Sequence, residues 1–209
     1  DKEGVSMKVM VPSCLETYPG FGNYRGLASY ETSFEAEGNI RLEFKGVSHF
    51  ARVFVDGEET AQHYGSYTPF DICVKNLSPG MHSLKVIVDN DFRDEYVLDF
   101  PNDYMSYGGI SRGVVLEYIK NIYIDWIHVT PLREADGIWS IRAEVACQNL
   151  SESPLYADVR LKFLDTEACC QGKLLPPGKS IITFEELEIA DACPWSMEDP
   201  VLYQVSASL

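Results

Sequence analysis

Apolar and polar residues alternate along most of this chain. The alternation is strict over residues 40–45, where Ile, Leu and Phe are separated by charged residues. It recurs at Val53 and Val55, at Leu84, Val86 and Val88, at Ile141, Ala143, Val145 and Cys147, and at Val159, Leu161 and Phe163. A period of two is typical of strands with one buried face. Turn dipeptides separate these runs, namely Asp56-Gly57, Pro79-Gly80, Gly108-Gly109 and Pro177-Gly178. No amphipathic helix is indicated, so the pattern predicts an all-β protein built of antiparallel sandwiches.

The length predicts two domains with a boundary near residue 120. A chain of 209 residues is longer than one typical sandwich requires. Residues 114–118 (VVLEY) indicate a closing strand, and residues 122–129 (IYIDWIHV) indicate an opening one. We therefore predict domains 1–120 and 121–209. The second has the length and strand count of an immunoglobulin-like sandwich, although it lacks the Cys-Trp-Cys pattern of antibody domains.

Charge and cysteine usage narrow the possible partners. The chain has 17 basic and 32 acidic residues, a formal net charge of -15, which repels phosphate backbones and anionic lipids. We therefore expect neither nucleic acid nor a membrane surface as partner. The six cysteines form no C-x-x-C pair, so we expect no metal and no cofactor. They are interpreted as reduced thiols of a bacterial cytoplasmic protein. A signal lost before the first residue would instead imply a secreted or periplasmic one.

Four strings resemble those of family 2 glycoside hydrolases of the β-galactosidase and β-glucuronidase type. YRGLASYETSF and GVSHFARVFVDG, within residues 24–57, are similar to the family's opening Y-x-G-x-x-x-Y and its G-V-x-x-x-A-x-V-x-V-N-G hairpin. HYGSYTPF (63–70) resembles H-x-G-G-Y-T-P-F, with Ser66 in place of a glycine. DYMSYGGISRGVVL (103–116) is similar to the family's D-x-x-x-Y-x-G-I-x-R-x-V-x-L, and WSMEDPVLY (195–203) resembles the motif that closes its second domain. The resemblance implies a galactose-binding-like jelly-roll sandwich followed by an immunoglobulin-like β-sandwich.

Asp103 is the candidate substrate-binding residue. In the enzymes that the chain resembles, the matching Asp lies on a jelly-roll loop over the mouth of a catalytic barrel and contacts hydroxyls of the terminal sugar. A carboxylate accepts such hydrogen bonds well. The alternative is that Asp103, after Pro101 and Asn102, caps a turn. The resemblance favours sugar binding.

No catalytic residue is expected in this chain. Retaining glycosidases use two carboxylates about 5–5.5 Å apart. In the resembling family both are barrel glutamates, and the acid/base follows an Asn. The sequence contains no Asn-Glu dipeptide and no alternating strand–helix pattern. We therefore expect the isolated chain to be inactive.

Several other side chains invite a functional interpretation, which we set against a structural one. His49 and His63 are interpreted as satisfied structural residues rather than as acid/base groups. Residues 89–95 (DNDFRDE) are interpreted as a solvated loop rather than as a calcium site. A last set of aromatics is interpreted as core residues of the sandwich rather than as a sugar-stacking platform: Tyr18, Phe21, Tyr24 and Tyr64.

The sequence as a whole predicts the non-catalytic front part of a hydrolase of terminal β-linked sugars, a β-galactosidase or β-glucuronidase with a homo-oligomeric parent. The alternatives are a stand-alone carbohydrate-binding module and a pair of purely structural sandwiches. Galactoside and glucuronide stay open as substrates, and a β-mannosidase fits the same motifs less well.

Overall fold

The computed structural model of the protein describes residues 4, 6–93, 96, 103, 105–133, 138–189 and 192–209. The chain divides into two compact units, Asp1–Tyr118 and Ile119–Leu209. Within the described ranges the helical structure is one short 3-10 turn, Leu15–Thr17, and no helix there is long and apolar enough to cross a membrane.

The first unit is built on one five-stranded antiparallel sheet. Its strands are β1 (Leu27–Phe44), β2 (Phe50–Val55), β3 (Glu58–Tyr64), β4 (Phe70–Asp89) and β5 (Val114–Ile119). Their order in the sheet is β3-β2-β4-β1-β5. Partly buried and fully buried positions alternate in β2, and its buried face carries the valines that the sequence pattern predicted.

The two long strands β1 and β4 pair along their whole length, from Leu27 opposite Asp89 to Phe44 opposite Phe70. The register shifts on either side of Gly38. Gly80 lies opposite Ala36 inside this ladder, with φ of +144°. The predicted turn at Pro79-Gly80 is therefore wrong. This dipeptide lies beside a bulge in a continuous strand, where glycine supplies a backbone conformation that other residues rarely adopt.

One hydrophobic cluster fills the first unit. Its buried members come from the second half of β1, from both halves of β4, from β2 and from the connections, and include Ile40, Phe44, Val53, Val86 and Ile110. Both ends of the long strand pair therefore contribute to a single cluster, one through β4 and the other through both strands.

The second unit consists of two three-stranded antiparallel sheets. One has the order β10-β7-β6 and the other β11-β8-β9. The strands are β6 (Ile122–Arg133), β7 (Trp139–Asn149), β8 (Leu155–Phe163), β9 (Thr166–Leu175), β10 (Gly178–Ile189) and β11 (Val205–Ser208). The alternating residues of β7 and β8 meet in one buried cluster that joins the sheets, with Val145 and Leu161 fully buried. The predicted all-β sandwich architecture is confirmed.

Candidate functional site

Asp103 is an exposed residue of the first unit. It makes no hydrogen bond or ion pair with any residue that the structure describes. An exposed carboxylate is a suitable acceptor for two hydroxyl groups of a sugar. Pro101, Asn102 and Tyr104 lie outside the described residues, and so does the competing prediction that Asp103 caps a turn after Pro101 and Asn102.

Five positions after Asp103 the chain is fixed at Gly108. The Gly108 N–H donates to both oxygens of the Glu16 carboxylate, at 2.9 and 3.1 Å. The Gly108 carbonyl accepts from the N–H of Leu15 at 2.9 Å. Gly109 exchanges two further bonds with the backbone of Ser48, at 2.9 and 3.1 Å. All four backbone polar groups of the glycine pair are therefore satisfied, which leaves this point of the chain little freedom.

The glycine pair also lies too close to its neighbours for side chains. A Cβ built on Gly108 would lie 2.2 Å from Nδ2 of Asn90. One built on Gly109, whose φ is +106°, would lie 2.7 Å from the hydroxyl of Tyr30. At Gly108-Gly109 the backbone therefore approaches its neighbours too closely for any side chain.

On the other side of Asp103, the chain leaves β4 at a second buried carboxylate. Asp89 is 3% exposed. Its Oδ2 accepts from the guanidinium of Arg93 at 2.6 Å and from the hydroxyl of Tyr96 at 3.4 Å, and its Oδ1 accepts from the N–H of Asp91 at 3.1 Å. The next residue, Asn90, is fully buried. The prediction of a solvated loop is therefore wrong for Asp89 and Asn90.

Arg25 and Asn90 connect the segment around Gly108 and Glu16 with the segment that follows β4. Arg25 donates to Glu16 at 3.2 Å, and its guanidinium lies 5.0 Å from the centre of the Phe92 ring. Asn90 donates to the carbonyl of Tyr24 and accepts from the N–H of Gly26, both at 3.0 Å. The residues just before β1 are thus bonded to those just after β4. Glu16, whose side chain is 5% exposed, has its charge matched by Arg25.

His49 lies next to this network and differs from what we predicted. It is 1% exposed, and neither ring nitrogen has a hydrogen-bond partner in the part of the chain that the structure describes. The prediction of a satisfied residue is wrong here. Burial first, and the nearby charge of Arg25 second, lower the pKa of His49 below its usual value. The ring is therefore neutral at neutral pH.

His63 and the aromatic residues have structural partners. The His63 ring stacks on Phe70 with 4.2 Å between ring centres, and Nε2 lies 3.1 Å from the Thr68 hydroxyl. Tyr24 donates its hydroxyl to the carbonyl of Leu27 at 2.6 Å. The rings of Phe21 and Tyr24 meet edge to face, and Tyr64 stacks on Tyr96. These contacts favour the structural interpretation over a sugar-stacking platform.

Sequence reasoning identified Asp103 and the glycine pair, but it missed Glu16, Arg25, Asp89 and Asn90. The sequence offered one signal for Asp89 and Asn90. They directly follow an alternating apolar strand, and acidic and amide residues in that position can form a buried hydrogen-bond network. Among the described residues no group of three or more His, Cys, Asp or Glu side chains is placed to hold a metal ion.

Comparisons with known proteins agree with this picture. Residues 6–120, more than half of the chain, match the family model described as "Glycosyl hydrolases family 2, sugar binding domain". The chain is also similar to a crystal structure of a family 2 β-galacturonidase from Eisenbergiella tayi bound to galacturonate. The two are 47% identical, with a TM-score of 0.91, over 97% of this chain and 36% of that one.

Two curated relatives carry other names. A β-galactosidase from Thermoanaerobacterium thermosulfurigenes is 27% identical over 187 residues, which cover 81% of this chain and 25% of that protein. A β-glucuronidase from Bacteroides fragilis is 27% identical over 207 residues, which cover 91% of this chain and 29% of that protein. The chain therefore spans about a quarter of the length of these relatives. The resemblance that the four strings predicted is confirmed.

Proposed function

Because this chain belongs to glycosyl hydrolase family 2, we propose that it forms the non-catalytic front part of a hydrolase that removes terminal β-linked sugars with retention of configuration. The observation that carries the proposal is the match of residues 6–120 to the family's sugar-binding domain. We assign residues 1–120 to that jelly-roll domain and residues 121–209 to the immunoglobulin-like domain. The reacting carboxylates belong to a catalytic barrel that completes the enzyme.

The role of the first domain in this proposal is to hold the terminal sugar through Asp103. Two features support it: the residue is exposed, and the chain after it is fixed at Gly108 and Gly109, all four of whose backbone polar groups are hydrogen-bonded. A carboxylate that accepts two hydroxyl hydrogen bonds contributes most when its position is set before the substrate arrives.

The best-supported substrate class is a terminal β-linked uronic acid, with galacturonic acid first. The β-galacturonidase from Eisenbergiella tayi is 47% identical to this chain, whereas the β-galactosidase and β-glucuronidase above are each 27% identical. Galactosides and glucuronides are the competing substrates.

The test is hydrolysis of p-nitrophenyl β-galacturonide, β-glucuronide and β-galactoside by the full-length protein, with and without Asp103→Asn. We expect the galacturonide to be preferred. We expect Asp103→Asn to lower kcat/KM by at least roughly tenfold, or about 1.4 kcal/mol of transition-state binding. The matched control is Asp165→Asn, an exposed turn aspartate of the second unit, which we expect to leave kcat/KM unchanged. Equal kinetics for both variants would remove Asp103 from the sugar site.

The same proposal separates the chain from a stand-alone binding module. The isolated chain is expected to hydrolyse none of the three glycosides and to bind free galacturonate only weakly, since the barrel supplies the rest of the site. Tight sugar binding by the isolated chain would instead favour the module. A homo-oligomeric parent in the cytoplasm stays part of the proposal, and light scattering and cell fractionation of the full-length protein would test it.

A further inference from the structure

We propose that the buried carboxylates Glu16 and Asp89 are positioning residues that hold Asp103 in place from its two sides. The inference rests on the proposed function, because it concerns the same sugar site. Glu16 binds the backbone just after Asp103, and Asp89 binds the residues that lead toward it. Both act on substrate only through the position of Asp103.

Fewer residues separate Asp103 from the backbone that Glu16 holds than from the backbone that Asp89 holds. Asp103 lies five residues before Gly108 and seven residues after Tyr96, whose hydroxyl bonds Asp89. An extended chain covers at most about 3.3–3.6 Å per residue, so the Gly108 end limits the position of Asp103 more closely than the Tyr96 end. The position of Gly108 depends on Glu16, because the carboxylate takes the Gly108 N–H with both oxygens.

A carboxylate would be a costly choice if it served only to complete the fold. The Glu16 side chain is 5% exposed, and burial of a charge requires a charged or hydrogen-bonded partner. Arg25 and the Gly108 N–H supply these partners, at 3.2 and 2.9 Å. Removal of the carboxylate therefore frees the Gly108 N–H and leaves Arg25 without its acid, which loosens the point that holds Asp103.

The Asp89 side uses the same chemistry. Asp89 and Arg93, four residues apart in the chain, form an ion pair at 2.6 Å, and the Asp91 N–H bonds the other oxygen of Asp89 at 3.1 Å. Phe92, between them, faces the guanidinium of Arg25. Arg25 therefore contacts Glu16 directly, and it contacts the segment bonded to Asp89 through the Phe92 ring. A displacement of about 1 Å at a substrate-binding group can cost up to roughly 100-fold in rate, so small shifts of Glu16 or Asp89 are expected to be measurable.

The experiment is a double-mutant cycle between Glu16 and Asp103 in the full-length enzyme, measured as kcat/KM on its preferred p-nitrophenyl glycoside. We expect Glu16→Asp, which keeps the charge but is one methylene too short to reach Gly108, to lower kcat/KM by roughly tenfold. Glu16→Gln keeps the length and one acceptor oxygen, and its loss is expected to stay within about threefold. Glu117→Ala, which removes an ion pair with Arg41 in the same unit, serves as control and is expected to retain full activity.

The decisive readout is whether the two effects combine. If Glu16 acts through Asp103, Glu16→Asp has no further effect on kcat/KM once Asp103 is replaced by Asn. Multiplied effects would overturn the inference, and so would full activity of Glu16→Asp beside an impaired Asp103→Asn. Full activity of Asp103→Asn alone would instead show that the proposed function has failed, and the inference with it. A merely structural role of Glu16 would lower stability in urea without this dependence on Asp103.

Discussion

Gly108 lies at a position where no side chain fits, because a Cβ there would lie 2.2 Å from the side-chain amide nitrogen of buried Asn90. We expect Gly108→Ala to lower the free energy of unfolding by about 1–3 kcal/mol, since either Asn90 or the backbone must move. Urea unfolding of the 209-residue chain, followed by far-UV circular dichroism, measures the change.

Gly113 provides the matched control for this substitution. A Cβ built there meets nothing within 4 Å, and its φ does not lie in the left-handed region. We expect Gly113→Ala to change the free energy of unfolding by no more than about 0.5 kcal/mol. An equal loss at both positions would contradict the close approach of Gly108 to Asn90.

The same residues show where sequence reasoning stops. The strings around Asp103 and Gly108 could be identified because they have a family pattern. Glu16 could not, because a single carboxylate after an apolar residue does not indicate burial. Its burial depends on the N–H of Gly108, 92 positions further along the chain. From the sequence His49 is interpreted as a satisfied structural residue, and nothing in the sequence indicates that both ring nitrogens lack a partner among the residues that the structure describes.

At the scale of elements, the β2–β3 turn is attached to β4 by a histidine–aspartate pair. Asp56 and Gly57 both have positive φ, of 50° and 84°, which is typical of the tight hairpin turn that the sequence predicted. Nδ1 of His82 lies 2.6 Å from Oδ2 of Asp56, and Nε2 lies 2.8 Å from the carbonyl of Ser78. Both neighbours are acceptors, so the ring satisfies both only when it carries two protons.

This pair is expected to make stability depend on pH. Hydrogen bonding to Asp56 first, and to Ser78 second, raises the pKa of His82, while His82 in turn lowers the pKa of Asp56. A raised pKa contributes stability below the unfolded value near 6.5 and loses it as the pH rises through the folded value. The pKa of His49 is lowered, so protonation of His49 destabilises the fold only as the pH decreases from about 6.5, which is outside the range in which His82 acts.

We therefore expect the urea midpoint of the chain to fall as the pH rises from about 6.5 through the raised pKa of His82. In Asp56→Asn, which keeps a residue that tolerates the positive φ of the turn, the fall should be smaller. The measurement is the midpoint as a function of pH for both proteins. Parallel curves over this range would mean that His82 does not titrate against Asp56.

Elements were predicted more completely than their connections. Strict alternation located the buried faces of β2, β7 and β8, because a strand with one buried face must repeat every two residues. The turn predicted at Pro79-Gly80 was wrong, because this dipeptide lies inside β4 opposite the bulge of β1. A dipeptide indicates a departure from regular backbone, but whether the chain reverses there depends on the partner strand.

At the scale of the whole molecule, each unit has its own core. The cluster around Val53 contains only residues of the first unit, and the cluster around Val145 contains only residues of the second. Both valines are fully buried. Val→Ala at either position is expected to cost about 1–3 kcal/mol, because it removes two methyl groups from a packed site. The loss should fall on the unit that holds the substitution.

The distribution of tryptophan makes this separation measurable in the intact chain. All three tryptophans, Trp126, Trp139 and Trp195, belong to the second unit, so their fluorescence follows that unit alone, whereas far-UV circular dichroism follows both. We expect Val145→Ala to shift the fluorescence transition in urea to lower concentration. We expect Val53→Ala to leave that transition in place and to shift only the circular dichroism signal. If Val53→Ala moved the fluorescence transition as far as Val145→Ala does, the two units would unfold as one cooperative body, and the stability of Glu16, Asp89 and the sugar site would then depend on both cores rather than on the first.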